Sequence, residues 1–291
     1  MNSRTTHRTL PRTNGLGLAP RDVRDVVAKA VGLVPAAGIA SRLTPSVYPK
    51  ELLPVTFDVD PRTGVAMPVP VIELSLRALA AARIERCMVT LSPRKPELLR
   101  YLGDGSHVGL QVSYVQQMEP TGLVDAIRLG CRWIQGCYGC LLLPDTVVSP
   151  PSAMATLLDV MARDPADAVL GVFPTSRPEQ LGPVRFDADG VISEVLEKPT
   201  NGTIANTWGM VVFSPAFVAR LAAGPPPGTV SGAERITSLA DVFNQAIASG
   251  SRLRAVWFED GTYLDAGTPA GLFTLTQRAN AQAQYRTGER A

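Results

Sequence analysis

The run Val31-Gly-Leu-Val-Pro-Ala-Ala-Gly38-Ile-Ala-Ser-Arg42-Leu-Thr-Pro45, continued by Pro49-Lys50-Glu-Leu-Leu-Pro54, decides the fold. Gly32 to Pro35 has the length and apolar character of a buried strand, and the small residues after it read as a tight strand-to-helix loop. Small side chains let backbone N–H groups approach an anion closely, and Arg42 adds a planar cationic fork for phosphate oxygens. Such a loop suits a triphosphate. It lacks the Gly-Lys-Ser/Thr ending of a Walker loop and the Gly-x-Gly-x-x-Gly of a dinucleotide fingerprint. A plain turn with two solvated basic residues would explain Ala-Ala-Gly alone; Arg42 and Pro49-Lys50 following in order favour the anion site.

Working outward, strand-length apolar runs alternate with helical stretches. Strands at 87–91, 112–115, 140–143 and 168–173 are separated by helices at 71–82, 96–102, 122–133 and 152–161. That βαβα rhythm predicts a Rossmann-like α/β fold: a mixed, mostly parallel sheet with helices on both faces, whose ligands bind at the strand carboxyl ends. After Phe173 the spacing changes to short, partly antiparallel strands at 183–186, 191–196 and 206–213, which read as an inserted, substrate-facing subregion. Helices at 215–222 and 239–248, a strand at 253–258 and a helix from Pro269 complete the pattern. Residues 1–29 lack apolar periodicity and read as a flexible leader with a short helix at 21–30; 30–291 read as one domain.

Composition excludes several classes of partner. The net charge is +2 and the 28 basic residues are scattered, so no stripe tracks a nucleic-acid backbone or an anionic membrane. No apolar run approaches the roughly 20 residues of a membrane span, and the first twenty residues are polar, so a cytoplasmic location is expected. Cys137-Tyr-Gly-Cys140 lacks the second pair of a zinc knuckle, and Cys87, Cys131, Cys137 and Cys140 read as structural thiols. His7 and His107, the only histidines, have no evident partners for acid–base work.

Four further stretches carry chemistry. Gln117, at a strand end before Pro120-Thr-Gly122, can donate and accept hydrogen bonds at once, as the edge of a uracil or thymine requires; alone, it is a surface glutamine before a helix turn. Asp145, after Leu141-Leu-Leu-Pro, and Asp265, in Gly261-Thr-Tyr-Leu-Asp-Ala-Gly-Thr-Pro269, sit where strands surface and suit a hard cation, although each is equally a loop-capping aspartate. Glu197-Lys198 pairs an acceptor for sugar hydroxyls with a cation for phosphate; a surface ion pair is the competing explanation. Trp208-Gly209 offers a stacking floor or ordinary core.

Taken in order, these residues resemble the sugar-1-phosphate nucleotidyltransferase family, which includes glucose-1-phosphate thymidylyltransferases and UTP:glucose-1-phosphate uridylyltransferases. The likeness runs from Val31 to about Leu275. It implies the nucleotide-diphospho-sugar transferase fold, with a nucleotide half at about 30–150 and a sugar-phosphate half at about 151–291. It implies that Ala37, Gly38, Gln117 and Gly122 hold the nucleotide and that Arg42 and Lys50 are catalytic. Asp145 and Asp265 would bind Mg²⁺, and Glu197, Lys198, Trp208 and Gly209 the sugar phosphate. The implied partners are a nucleoside triphosphate and a sugar-1-phosphate, in a homodimer or homotetramer. UTP or dTTP with glucose-1-phosphate is the favoured pairing. Cytidylyl or guanylyl transfer to an unusual sugar, cyclitol phosphate or phosphonate stays open, as does a nucleotide-sugar-binding regulator without turnover. Ala40 stands where the family has glycine, Pro144 replaces the glycine before the first aspartate, and the segment from Arg42 to Lys50 is short.

Overall fold

In the computed structural model, β1 (Ala30–Pro35) is buried at every position, as a strand flanked by helices on both faces must be. Residues 20–38, 48–60, 62–200, 203–224 and 238–277 are described; Arg42, most of the leader and the Pro-Pro-Pro-Gly run at 225–228 lie outside them. Parallel partners of β1 are β4 (Arg86–Leu91) on one side and β6 (Tyr138–Leu142) on the other. In chain order come α1 (Val23–Ala28), β1, the hairpin β2 (Pro54–Val59) and β3 (Ala66–Pro70), α2 (Val71–Ala81), β4, α3 (Pro96–Leu102), β5 (Gln111–Gln116), α4 (Leu123–Cys131) and β6. Then follow β7 (Thr146–Ser149), α5 (Ala153–Arg163), β8 (Ala168–Pro174), β9 (Val184–Phe186), β10 (Ile192–Val195) and β11 (Asn206–Phe213). The chain closes with α6 (Pro215–Ala223), α7 (Leu239–Ala248), β12 (Leu253–Trp257), β13 (Thr262–Asp265) and a helix at 269–277.

Seven strands form the main sheet, in the order β12-β8-β11-β6-β1-β4-β5. Only β11 runs antiparallel to its neighbours there. The chain winds from β1 to β4 and β5 in one direction, then restarts with β6 on the other side of β1. A crevice therefore opens where the carboxyl ends of β1 and β6 part, which is where open α/β sheets bind ligands.

Alternation along β1 serves two cores. Ala30 and Val34 face a layer containing α1, α2, α3 and α5; Val31 and Leu33 face one containing α4, α6 and α7. Fully burying one such aliphatic side chain contributes about 1.5–3 kcal/mol. Helix ends follow local chemistry. Ser238 and Asp241 form a reciprocal capping box on α7, and Ser214 caps α6 ahead of Pro215.

The structure corrects the expected inserted subregion. Asn206–Phe213 is a central strand of the main sheet, between β6 and β8, and only β9 and β10 form a separate hairpin. The short helix expected at 21–30 is α1, shortened because Ala30 already belongs to β1, and it is docked rather than loose: Val26 is buried and the Arg21 amide donates to the Ala162 carbonyl. The β2–β3 hairpin and the β7–β13 ladder were not expected.

Burial accounts for three of the four cysteines, Cys87, Cys131 and Cys140, as core thiols. Desolvation pushes the thiols of Cys87 and Cys131 up to about 12 and that of Cys140 higher still. A raised thiol pKa leaves almost no thiolate at pH 8, and thiolate is the reactive form. At that pH a disulfide reagent should titrate Cys137 alone in the native protein and all four thiols after denaturation; rapid native reaction of Cys87 or Cys140 would contradict the packing described.

Candidate active site

Past Pro35, the Ala36 amide still donates to the Thr90 carbonyl at 2.8 Å, extending the β1–β4 pairing to the start of the loop. Ala37 is buried and Gly38 is exposed. A Cβ on Gly38 would meet nothing within 4 Å among the described residues. Lys50 begins a single turn of 3-10 helix, Lys50–Leu52, after Pro49. Its ammonium makes a short ion pair with Asp145 Oδ2 across 95 residues of sequence, both side chains being largely buried.

Asp145 lies just past β6, in a turn pinned from two sides. Ser75 on α2 donates its hydroxyl to the carbonyl of Leu143 at 2.9 Å and more weakly to that of Thr146. From the other side, the Ala266 amide donates to the Asp145 carbonyl at 2.8 Å. β13 pairs Asp265 with Thr146, the residue after Asp145, so the backbones of the two aspartates run side by side at the start of that ladder. Asp265 Oδ1 also accepts from the Gly267 amide at 2.7 Å, so this carboxylate shapes the turn into the helix at 269–277 as well. No group of three or more His, Cys, Asp or Glu side chains gathers to hold a metal among the described residues. The pair still fits Mg²⁺, which takes one or two protein carboxylates and completes its shell with phosphate oxygens and water.

Gln117 follows β5 and is buried. Its Nε2 donates to Thr121 Oγ1 at 3.0 Å and to the Gly122 carbonyl at 3.1 Å. Gly122 has φ 110°, a value that favours glycine, and a Cβ there would meet nothing within 4 Å. The glutamine and glycine expected to read a base are thus joined directly.

Glu197 and Lys198 lie past the end of β10 and pair at 3.4 Å with both side chains exposed. Lys198 takes φ 43°, a left-handed conformation a lysine seldom adopts, and its amide donates to the Leu181 carbonyl at 2.8 Å. Leu181 in turn lines a cavity of about 250 Å³ shared with Arg177, Gln180, Tyr263, Asp265 and Thr268. The second aspartate and the residue that anchors the Glu197–Lys198 turn thus line the same cavity.

Trp208 sits in the core, 8% exposed, edge-on to Phe243 with ring centroids 6.3 Å apart. A Cβ on Gly209 would come within 2.9 Å of Tyr263 and 3.0 Å of Phe173, so this glycine is required by packing. Neither position presents an open floor. Two residues that the sequence did not mark join the site. Lys95, just before α3, contacts Glu51 at 2.7 Å and the Ala36 carbonyl at 3.0 Å. A charged residue inside the otherwise apolar Glu-Leu-Leu-Pro run was the only available signal for Glu51, and none existed for Lys95.

Comparison with known proteins bears on this arrangement directly. The family model described as nucleotidyl transferase matches residues 48–282. A glucose-1-phosphate thymidylyltransferase of Mycobacterium tuberculosis (strain CDC 1551 / Oshkosh) is 29% identical over 81% of this chain and 77% of its own length. One from Xanthomonas campestris pv. campestris (strain B100) is 30% identical over 58% of this chain, and the match spans only 54% of that relative. Among solved structures, one described as a glucose-1-phosphate thymidylyltransferase from Bacillus anthracis, in complex with sucrose, superposes with a TM-score of 0.71 at 22% identity, over 86% of this chain and 95% of the other. A UDP-glucose pyrophosphorylase complexed with UDP-glucose gives 0.68 at 20% identity, over 87% and 99%. These structures share the fold with this chain. With the family model covering most of its length, the chain belongs to the nucleotidyl transferase family.

Proposed function

We propose that the chain is a sugar-1-phosphate nucleotidyltransferase, which joins UTP or dTTP to glucose-1-phosphate or a similar sugar phosphate and releases pyrophosphate. The observation that carries this reading is the buried Lys50–Asp145 pair in the sheet crevice, with the backbone of Asp265 alongside. A cation and two carboxylates at that place suit a polyphosphate carrying its own metal, and nothing there resembles an acid–base or nucleophilic pair.

A sugar phosphate is already ionised at neutral pH, so no protein base is needed and no covalent intermediate forms. Its oxygen attacks the α-phosphorus in line and pyrophosphate leaves on the opposite side, so catalysis reduces to positioning and charge stabilisation. The backbone at Ala37 and Gly38 lies against the nucleotide. Lys50 stabilises charge developing on the α-phosphoryl oxygens, and Arg42 takes the leaving pyrophosphate. Asp145 and Asp265 would hold Mg²⁺, which supplies neutralisation of the triphosphate when bound. Residues 30–150 serve as the nucleotide half and 151–291 as the sugar-phosphate half.

Base choice follows from Gln117. Both partners of its Nε2 are acceptors, which leaves Oε1 to accept from a ligand. Uracil and thymine offer the N3–H donor, whereas cytosine presents an N3 lone pair there, so UTP and dTTP are favoured over CTP. On the acceptor side, Glu197 takes sugar hydroxyls and Lys198 the phosphate. Trp208 and Gly209 contribute by packing beneath the cavity.

Several outcomes check this reading. Lys50→Ala and Asp265→Ala should each lower turnover by roughly 100-fold or more, with far-UV circular dichroism unchanged; full pyrophosphate release by both would remove the mechanism. Gln117→Leu should erode the preference for UTP and dTTP over CTP in the same assay, because it removes the Oε1 acceptor for the base N3–H. Glu197→Ala should raise KM for the sugar phosphate well beyond any fall in kcat. Trp208→Ala, read by thermal or denaturant unfolding, should cost about 3–5 kcal/mol of stability as a core truncation; a loss under 1 kcal/mol with a large KM change would return Trp208 to the sugar floor.

A further inference from the structure

Behind Lys50 lies a second ion pair that the proposed chemistry does not use. Lys95 Nζ is 2.7 Å from Glu51 Oε1, with the two side chains 10% and 1% exposed. It also donates to the Ala36 carbonyl at 3.0 Å. One ammonium thus ties together the first peptide past β1, the turn carrying Lys50, and the segment entering α3. Burial holds Lys95 below the ordinary lysine value, against the pull of Glu51, and Glu51 Oε2 is buried with no hydrogen-bond partner among the described residues.

So deep a pair is a poor device for stability alone, because well-packed apolar residues commonly do as well or better. Its connections suggest a different use. On a 3-10 turn successive side chains diverge by about 120°. Glu51 drawn inward onto Lys95 therefore leaves its neighbour Lys50 turned away from it, where the Lys50 ammonium meets Asp145.

We propose that Lys95 and Glu51 are positioning residues: their buried bridge sets the rotation of the Lys50–Leu52 turn and anchors the Ala36 peptide, so that Lys50 and the backbone just past β1 keep a fixed separation. The proposal rests on the role assigned to Lys50 above. It requires no contact of either residue with substrate.

The test is Glu51→Gln, which keeps shape and an acceptor for Lys95 but removes the charge that draws it in, beside Lys95→Met and Lys95→Arg. Thermal unfolding selects the variants that are folded, and two readouts follow on each. The first is kcat and KM for pyrophosphate release. The second is the rate at which acetic anhydride acylates Lys50, followed by peptide mass spectrometry. In Glu51→Gln and Lys95→Met, kcat should fall toward the roughly 100-fold that a misplacement of about 1 Å costs, KM should change much less, and Lys50 should acylate faster. Lys95→Arg should recover part of both. Parental kcat and an unchanged acylation rate in folded Glu51→Gln would overturn the proposal, as would an altered melting temperature with no change in either readout. A parent protein that releases no pyrophosphate would defeat the nucleotidyltransferase reading by itself; the acylation rate then decides this one, faster labelling supporting it and equal labelling overturning it.

Discussion

Two cations and two carboxylates share the space where β1, β4 and β6 end: Lys50 with Asp145, and Lys95 with Glu51. Charges removed from water to this degree persist only when compensated at close range, since an isolated buried ion costs several kcal/mol. The surrounding fold meets that constraint. Ser75 on α2 and Ala266 past β13 hold the Asp145 turn by its carbonyls, and Lys95 holds Ala36 by its own. Elements far apart in sequence thus converge on the same few ångströms of backbone.

The constraint also explains why the site sits at this place in the sheet. A change of winding direction beside β1 opens a crevice with two helical layers as walls. Loops leaving β1 and β6 enter it from opposite sides, one with small residues that expose backbone and the other with a carboxylate. The small β7–β13 ladder brings the backbone of the second aspartate alongside that of the first. A cavity then lies between Asp265 and Leu181, whose carbonyl anchors the turn of Glu197 and Lys198.

Much of the framework was legible because period-two and helical patterns survive in single segments. β1, β4, β8 and β11, with α2, α3 and α5, were readable from local apolar runs. What escaped was pairing. Asn206–Phe213 read as a strand, but nothing local says that it enters the main sheet between β6 and β8. Pro54, Pro68 and Pro70 made a two-stranded hairpin look like loop, because proline is tolerated in strands chiefly at ends and edges. The four-residue strand β13 finds its partner β7 more than a hundred residues earlier. At the site, Asp145 and Gln117 were marked by their places at strand ends, Lys50 by following Arg42 in order, and Gly122 by the turn that opens a helix. Trp208 illustrates the opposite case: its ring looked available in sequence and is covered by Phe243 in the fold. Lys95 carried no sequence signal because its role depends wholly on two partners, Glu51 and Ala36, that are distant along the chain.

Transfer of the nucleotidyl group itself is the most direct measurement of the central claim. Purified protein would be incubated with Mg²⁺, glucose-1-phosphate and UTP or dTTP labelled at the α-phosphate, and the labelled products separated by chromatography. The account predicts that the label moves into a nucleotide sugar, only when the sugar phosphate is present and in step with the pyrophosphate formed. Label that stays in the triphosphate, or that appears in the free nucleoside monophosphate regardless of sugar phosphate, would contradict it.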